Sequence, residues 1–108
     1  MTRIAVGLAA LLLLASCATA PQVSPAARAE LAPTGKLRVG INYGNVILAG
    51  RNAATGEYRG VAVDLAQELG RRLGVPVELV GFESGGRTAA GVKTGAWDIA
   101  FIAVEPSR

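Results

Sequence analysis

The spacing of apolar and polar positions changes several times between residues 36 and 104, and each change predicts a new element. Residues 37–41 (LRVGI) alternate apolar side chains with others, which is typical of a β-strand. In residues 61–73 an apolar side chain recurs every fourth position, which predicts an amphipathic helix. Gly74 and Pro76 follow directly, and both residue types are typical of the end of a helix.

Three shorter stretches complete the pattern. Residues 77–80 (VELV) are rich in β-branched and apolar side chains and predict a second strand. Residues 88–94 predict a short helix that ends at Gly95. Residues 98–104 are almost entirely apolar, as expected of a strand that is buried on both faces.

The predicted order is therefore strand, helix, strand, helix, strand. Such units form a parallel sheet with right-handed crossovers, so the fold class is α/β. Ligands of open α/β sheets bind beyond the carboxyl ends of the strands. This rule places function in three loops, at residues 42–45, 82–86 and 105–108.

Composition narrows the chemistry available to those loops. The chain has 108 residues, no histidine and one cysteine, which excludes Cys/His zinc sites, histidine-dependent catalytic triads and an internal disulfide. Residues 40–44 (GINYG) match neither of the glycine patterns that bind nucleotide phosphates. We therefore expect no metal ion and no cofactor.

The charge pattern argues against nucleic acid as a partner. The net charge is only +3, and basic residues never form a run longer than two. The chain also has only five aromatic residues, whereas nucleic-acid-binding surfaces combine a basic stripe with aromatic side chains. The charges are those of an ordinary solvated surface.

The N-terminal segment has the features of a targeting signal. Arg3 precedes an apolar run at residues 4–15 that is too short to span a bilayer comfortably. The run ends in LASC, which resembles the bacterial lipobox. That resemblance implies cleavage before Cys17 and acylation of this cysteine with chains such as palmitate, which anchor the protein to a membrane. The alternative is an ordinary signal peptide that is cut after Ala18 or Ala20.

These features divide the chain into three parts. Residues 1–16 are predicted to be the signal peptide, and residues 17–34 the lipidated cysteine with a Pro/Ala-rich tether. A short helical turn fits residues 26–31 of that tether. Residues 35–108 form the predicted folded part. The expected location is the cell envelope, with the protein held on a membrane and facing the periplasm or the cell exterior.

Four pieces of the folded part occur in an order with a familiar spacing. They are GKLRVG at residues 35–40, GVAVDLA through LGV at 60–75, GAWDIA at 95–100 and EPSR at 105–108. Together they resemble the N-terminal lobe of the bacterial extracellular solute-binding proteins of family 3, which serve amino-acid-type ABC importers. The resemblance implies a periplasmic-binding-protein-like βαβαβ half-lobe with a parallel sheet, incomplete at this length.

The resemblance also implies a set of ligand-binding residues. Members of the family commonly grip the ligand's α-carboxylate with an arginine after the third strand, which is Arg108 here. An aromatic residue in the first loop commonly stacks on the ligand, and Tyr43 is the nearest match. A residue after the second strand is expected to meet an ammonium or hydroxyl group. The predicted ligand-binding residues are Asn42, Tyr43, Asn45, Glu83, Ser84 and Arg108.

Two departures from the family pattern affect these expectations. Glu105 lies where the family usually has serine or threonine, and its charge would repel a carboxylate. The family also needs two lobes, whereas 108 residues make barely one domain of ordinary size. The sequence is therefore interpreted as an N-terminal fragment of a binding protein.

The resulting functional hypothesis is a receptor without catalytic residues. It predicts a monomer that binds a small polar solute, an amino acid or related carboxylate, and delivers it to an ABC transporter permease. Two alternatives stay open: the same module in a cell-wall lytic transglycosylase, which needs a further catalytic domain, or in a sensor protein. A sensor is usually held by a transmembrane helix, whereas Cys17 implies a lipid anchor.

Overall fold

A computed structural model describes residues 22–104 and Pro106. Two of the predicted elements begin and end close to the expected positions, and two others are longer. The helices are α1 (Pro25–Leu31), α2 (Val61–Leu73) and α3 (Gly85–Thr94). The strands are β1 (Leu37–Asn42), β2 (Gly50–Arg51), β3 (Tyr58–Arg59), β4 (Val77–Phe82) and β5 (Ile99–Ala100).

The main sheet has three parallel strands, with β1 between β4 and β5. The β1–β4 pairing runs over the full length of both strands, from Leu37 opposite Val77 to Asn42 opposite Phe82. This arrangement confirms the predicted parallel α/β fold. It also places the carboxyl ends of β1 and β4 side by side.

The two faces of β1 are covered by different helices because side chains alternate along a strand. Leu37, Val39 and Ile41 are fully buried in one cluster with Ala62 and Ala66 of α2. The intervening positions face α3 and the segment that follows it. This sandwiching explains why β1 is the most deeply buried element of the described chain.

On the α3 face, a glycine allows an indole ring to lie against the strand. A Cβ on Gly40 would come within 2.9 Å of the Trp97 ring, so only glycine leaves enough room. The indole Nε1–H of Trp97 donates a hydrogen bond of 2.8 Å to the Thr88 carbonyl oxygen. Trp97 therefore packs α3 onto the sheet.

Charges at the two ends of α2 match the helix dipole. Asp64 lies in the first turn and Arg71 and Arg72 in the last, and the helix ends at Gly74 with φ 68°. The Glu68 carboxylate accepts hydrogen bonds from the guanidinium groups of Arg71 and Arg72. These bonds, the one from Arg71 having the larger effect, lower the pKa of Glu68 to about 2. The three side chains are largely exposed, so they contribute little to stability.

The helical turn that fits residues 26–31 is confirmed, and it packs on the lobe. Ser24 caps α1, and Arg28 Nε donates a 2.7 Å hydrogen bond to the carbonyl oxygen of Leu73 at the end of α2. Val23 and Leu31 pack against the core. This part of the predicted tether is therefore docked on the domain and is not extended.

Two predictions differ from the structure. The strand predicted at residues 98–104 is limited to Ile99–Ala100, which pair with Val39 and Gly40. Within the described residues β5 has a strand neighbour on one side only, so the apolar run beyond Ala100 has no second ladder to join. The prediction also missed the antiparallel pairing of β2 with β3.

The predicted signal peptide and Cys17 lie outside the described residues. Among the helices that the structure describes, none has the length and apolar character needed to cross a membrane.

Candidate functional site

The carboxyl ends of β1 and β4 bring two of the predicted loops into direct contact. Tyr43 N–H donates a 3.0 Å hydrogen bond to the Phe82 carbonyl oxygen, which continues the β1–β4 ladder into the loops. A Cβ on Gly44 would overlap the Glu83 carbonyl oxygen, so the two backbones touch at this glycine. The structure therefore places residues 42–45 beside residues 83–84, as the parallel sheet predicts.

The two asparagines of the first loop shape its backbone. Asn42 is 5% exposed, and its Oδ1 accepts a hydrogen bond of 3.1 Å from Gly44 N–H. Asn45 Oδ1 accepts one of 3.1 Å from Ile47 N–H. Side-chain oxygens that accept from the backbone two residues on form Asx turns. Both oxygens are thus used to hold the loop that carries Tyr43.

Tyr43 belongs to a cluster that the sequence analysis did not predict. Its ring stacks on that of Tyr58, with ring centroids 5.8 Å apart and planes inclined by 28°. The guanidinium carbon of Arg51 lies 5.6 Å from the Tyr43 centroid and 5.8 Å from the Tyr58 centroid. Both distances are within the range of cation–π contacts. We call Tyr43, Tyr58 and Arg51 the tyrosine–arginine cluster.

The β2–β3 ribbon positions this cluster against the sheet. Arg51 is the register partner of Tyr58 in the ribbon. Tyr58 in turn lies on Gly81 of β4, where any side chain at Gly81 would overlap the phenol. The feature of the sequence that indicates this ribbon is the turn around Thr55-Gly56, which has Arg51 and Tyr58 on its two sides.

The second loop uses its polar groups to begin α3. Ser84 Oγ accepts a hydrogen bond of 3.2 Å from Arg87 N–H, so it is the N-cap of this helix. Glu83 forms an ion pair with Arg87 at 3.6 Å, with both side chains mostly exposed. The predicted ammonium or hydroxyl contacts of Glu83 and Ser84 stay predictions, and the Ser84 oxygen already accepts from the helix.

A cavity of about 420 Å³ lies on the other face of β4. Gly81, under Tyr58, and Phe82, which lines the cavity, are successive residues and so point to opposite faces. The cavity is therefore separate from the tyrosine–arginine cluster. Its lining residues are Phe82, Arg87, Ala90, Gly91 and Thr94.

Comparisons with known proteins identify the fold. No protein-family model matches this sequence, and no curated protein matches it. Among solved structures, an ancestral cationic amino acid solute-binding protein, AncCDT-1, is 30% identical with a TM-score of 0.60 over 75% of this chain. An arginine-bound mutant form of domain 1 from TmArgBP is 26% identical with a TM-score of 0.60 over the same share. The fold is that of the amino-acid solute-binding proteins.

This result confirms the predicted resemblance to bacterial solute-binding proteins. The chain spans 35% of the length of AncCDT-1 and 63% of the isolated domain 1 of TmArgBP. A third similar structure, 25% identical with a TM-score of 0.61, is a variant of an ancestral cyclohexadienyl dehydratase, AncCDT-3. Two of these three structures are thus named as binding proteins, and one is named for an enzyme.

Within this solute-binding fold, five of the six predicted site residues fall in the described part of the chain. The structure brings Asn42, Tyr43 and Asn45 together with Glu83 and Ser84 at one edge of the sheet. Arg108, like Glu105, lies outside the described residues, and its role as a carboxylate clamp stays a prediction. Residues 22–104 contain no group of three or more side chains suited to holding a metal ion.

Proposed function

We propose that this chain is the first-lobe part of a receptor that binds a small polar solute, an amino acid or related carboxylate. One observation carries the proposal: the tyrosine–arginine cluster lies at the carboxyl edge of a parallel sheet whose fold is shared with amino-acid-binding proteins. Ligands of open α/β sheets bind at this edge. The half-buried tyrosines offer ring faces for stacking, and Arg108 is proposed as the group that binds the α-carboxylate.

The experiment is a binding measurement on the complete translated product of the reading frame that encodes this chain. Isothermal titration calorimetry with the common amino acids and small carboxylates should give saturable binding of at least one. Replacement of Tyr43 by alanine removes one ring of the stack and should weaken that binding about fivefold, the equivalent of about 1 kcal/mol. The matched control is Ile47→Ala, because Ile47 lies in the same loop and is 82% exposed.

Two results would count against this assignment. Absence of binding by every compound of the panel would refute the solute-receptor proposal. Equal affinities of the wild type and Tyr43→Ala would remove Tyr43 from the site. The TmArgBP structure above is of an isolated first domain with arginine bound, so a first lobe can itself hold a solute in that protein.

We further propose that the receptor is lipid-anchored through Cys17 and passes its solute to an ABC transporter permease. The support is the LASC pattern after an apolar run, and the neighbours' role as solute-binding proteins. In bacteria grown with labelled palmitate, the wild-type protein should carry label and sediment with membranes. Cys17→Ser should carry no label, because it lacks the thiol that is acylated. A labelled Cys17→Ser protein would contradict the anchor.

An enzymatic role is the second candidate, and the AncCDT-3 neighbour is the observation that favours it. The lytic transglycosylase and sensor alternatives share the same binding module. Incubation of the bound solute with the complete product, followed by NMR, separates an enzyme that converts this solute from the alternatives in which the module only binds it. An unchanged solute supports a binding module, and conversion to a product supports an enzyme that acts on the solute.

A further inference from the structure

Arg51 has a different environment from most cations of the described chain. Arg38, Arg71, Arg72 and Arg87 each form an ion pair with a carboxylate. Arg51 forms none in residues 22–104, and its guanidinium donates no hydrogen bond to the described protein atoms. Its contacts are instead the rings of Tyr43 and Tyr58.

The two rings restrict where this charge can lie. Although Arg51 is an exposed residue, its guanidinium carbon lies over both tyrosine rings at the carboxyl edge of the sheet, 5.6 and 5.8 Å from their centroids. The five N–H donors of this guanidinium have no carboxylate or carbonyl partner within residues 22–104, so they can meet a planar anion with two oxygens.

The same arrangement disfavours a cationic solute. An incoming ammonium or guanidinium group would meet a like charge over the tyrosines, whose cation-binding faces Arg51 already contacts. The carboxylate of the adjacent loop, Glu83, is paired with Arg87 and does not neutralise Arg51. The charge that contacts the ring of Tyr43 is therefore positive.

We infer that Arg51 is a specificity-determining residue that binds a second anionic group of the solute, so that this site prefers dicarboxylic amino acids to neutral and cationic ones. The inference rests on the proposed solute-binding function. It goes further by naming the charge class of the ligand and the residue that selects it. In this arrangement Arg51 is assigned to the side-chain carboxylate of the solute.

The test compares glutamate, glutamine and lysine by calorimetry with the complete translated product. The wild type should bind glutamate at least about tenfold more tightly than glutamine, and lysine most weakly. Arg51→Gln should remove the preference for glutamate over glutamine. Arg51→Lys keeps the charge but loses the planar fork, so it should retain part of the preference.

The matched control is Arg59→Gln. Arg59 follows Tyr58 in β3, so it points to the other side of the ribbon, and the variant has the same loss of charge. It should keep the wild-type preference for glutamate. The ratio of the two affinities is the deciding measurement, because a general loss of folded protein lowers both affinities together and leaves their ratio unchanged.

The outcomes separate the inference from the proposed function. If the wild type binds neutral or cationic amino acids and Arg51→Gln leaves the affinity ratio unchanged, the solute-receptor proposal stands and the role of Arg51 is refuted. The role is refuted as well if Arg59→Gln changes the ratio as much as Arg51→Gln does. If the wild type binds no amino acid or carboxylate, both are refuted.

Discussion

Replacement of Asp98 by alanine is expected to lower the free energy of unfolding by about 2 kcal/mol. The Asp98 side chain is 5% exposed and accepts hydrogen bonds of 2.9 Å from Arg38 N–H, 2.8 Å from Arg38 Nη2 and 3.2 Å from Arg38 Nε. The Arg38 side chain is 25% exposed, so water can partly solvate it in the variant. The cost should therefore lie below that of breaking a fully buried ion pair.

The reason for a large effect is the position of Asp98 in the sheet. Only Ile99 and Ala100 of β5 pair with β1, so the Asp98–Arg38 contacts supply much of the connection between these strands. Urea unfolding monitored by circular dichroism gives the free energy. Hydrogen exchange should also show that the Asp98 amide, which donates to the Arg38 carbonyl oxygen, loses protection in the variant.

Glu78→Ala is the matched control. It removes the Lys36–Glu78 ion pair, whose side chains are 49% and 46% exposed, at the same end of the sheet. An exposed pair contributes little, so this change should cost at most about 0.5 kcal/mol. Equal losses for the two variants would show that the burial and geometry of the Asp98–Arg38 pair have no special weight.

The contribution of Asp98 should also depend on pH. Burial raises the pKa of Asp98, but hydrogen bonds from the Arg38 guanidinium and amide, together with its charge, lower it below the ordinary value of 3.8. A carboxyl group with a lowered folded-state pKa stabilises the protein above its unfolded-state pKa, and this stabilisation is lost as the pH falls through the folded-state value. The difference in stability between the wild type and Asp98→Ala should therefore be full at neutral pH and shrink below about pH 4.

The pattern of the sequence was sufficient for the parts of the fold that rest on periodic burial. The helix at residues 61–73 and the strand at 37–41 have apolar side chains at the spacing of the face they bury, and both occur as predicted. Residues 98–104 show the limit of this reasoning. An apolar run favours burial, but a strand also needs a hydrogen-bonding neighbour, and that is a property of the whole sheet.

The same limit applies to the candidate site: positions that follow from local sequence patterns could be predicted, whereas contacts that depend on tertiary packing could not. The loops at the carboxyl edge follow from the predicted parallel sheet, so the position of Asn42, Tyr43 and Glu83 at this edge could be predicted from the sequence. Tyr58 and Arg51 were missed because their relation to Tyr43 arises only when the β2–β3 ribbon packs on β4. The Arg38–Asp98 fork was missed for a similar reason, since its partners are 60 residues apart.

Replacement of Gly44 by alanine is expected to weaken solute binding at least about tenfold and to cost about 2 kcal/mol of stability. The added methyl group would overlap the Glu83 carbonyl oxygen, a backbone atom that cannot move aside by rotating a side chain. The loops after β1 and β4 must then separate. This separation strains the hydrogen bond from Tyr43 N–H to the Phe82 carbonyl oxygen and moves Tyr43 away from Tyr58 and Arg51.

Gly50→Ala is the matched control for this substitution. Gly50 lies in β2, and a Cβ at that position meets no atom within 4 Å, so the variant should bind and unfold like the wild type. Calorimetry and urea unfolding on the complete product measure the two expected losses. If Gly44→Ala loses stability but keeps full affinity, the contact between the two loops is structural and the solute does not depend on the position of Tyr43. A loss of affinity larger than the loss of stability accounts for would instead place the solute at the junction of these loops.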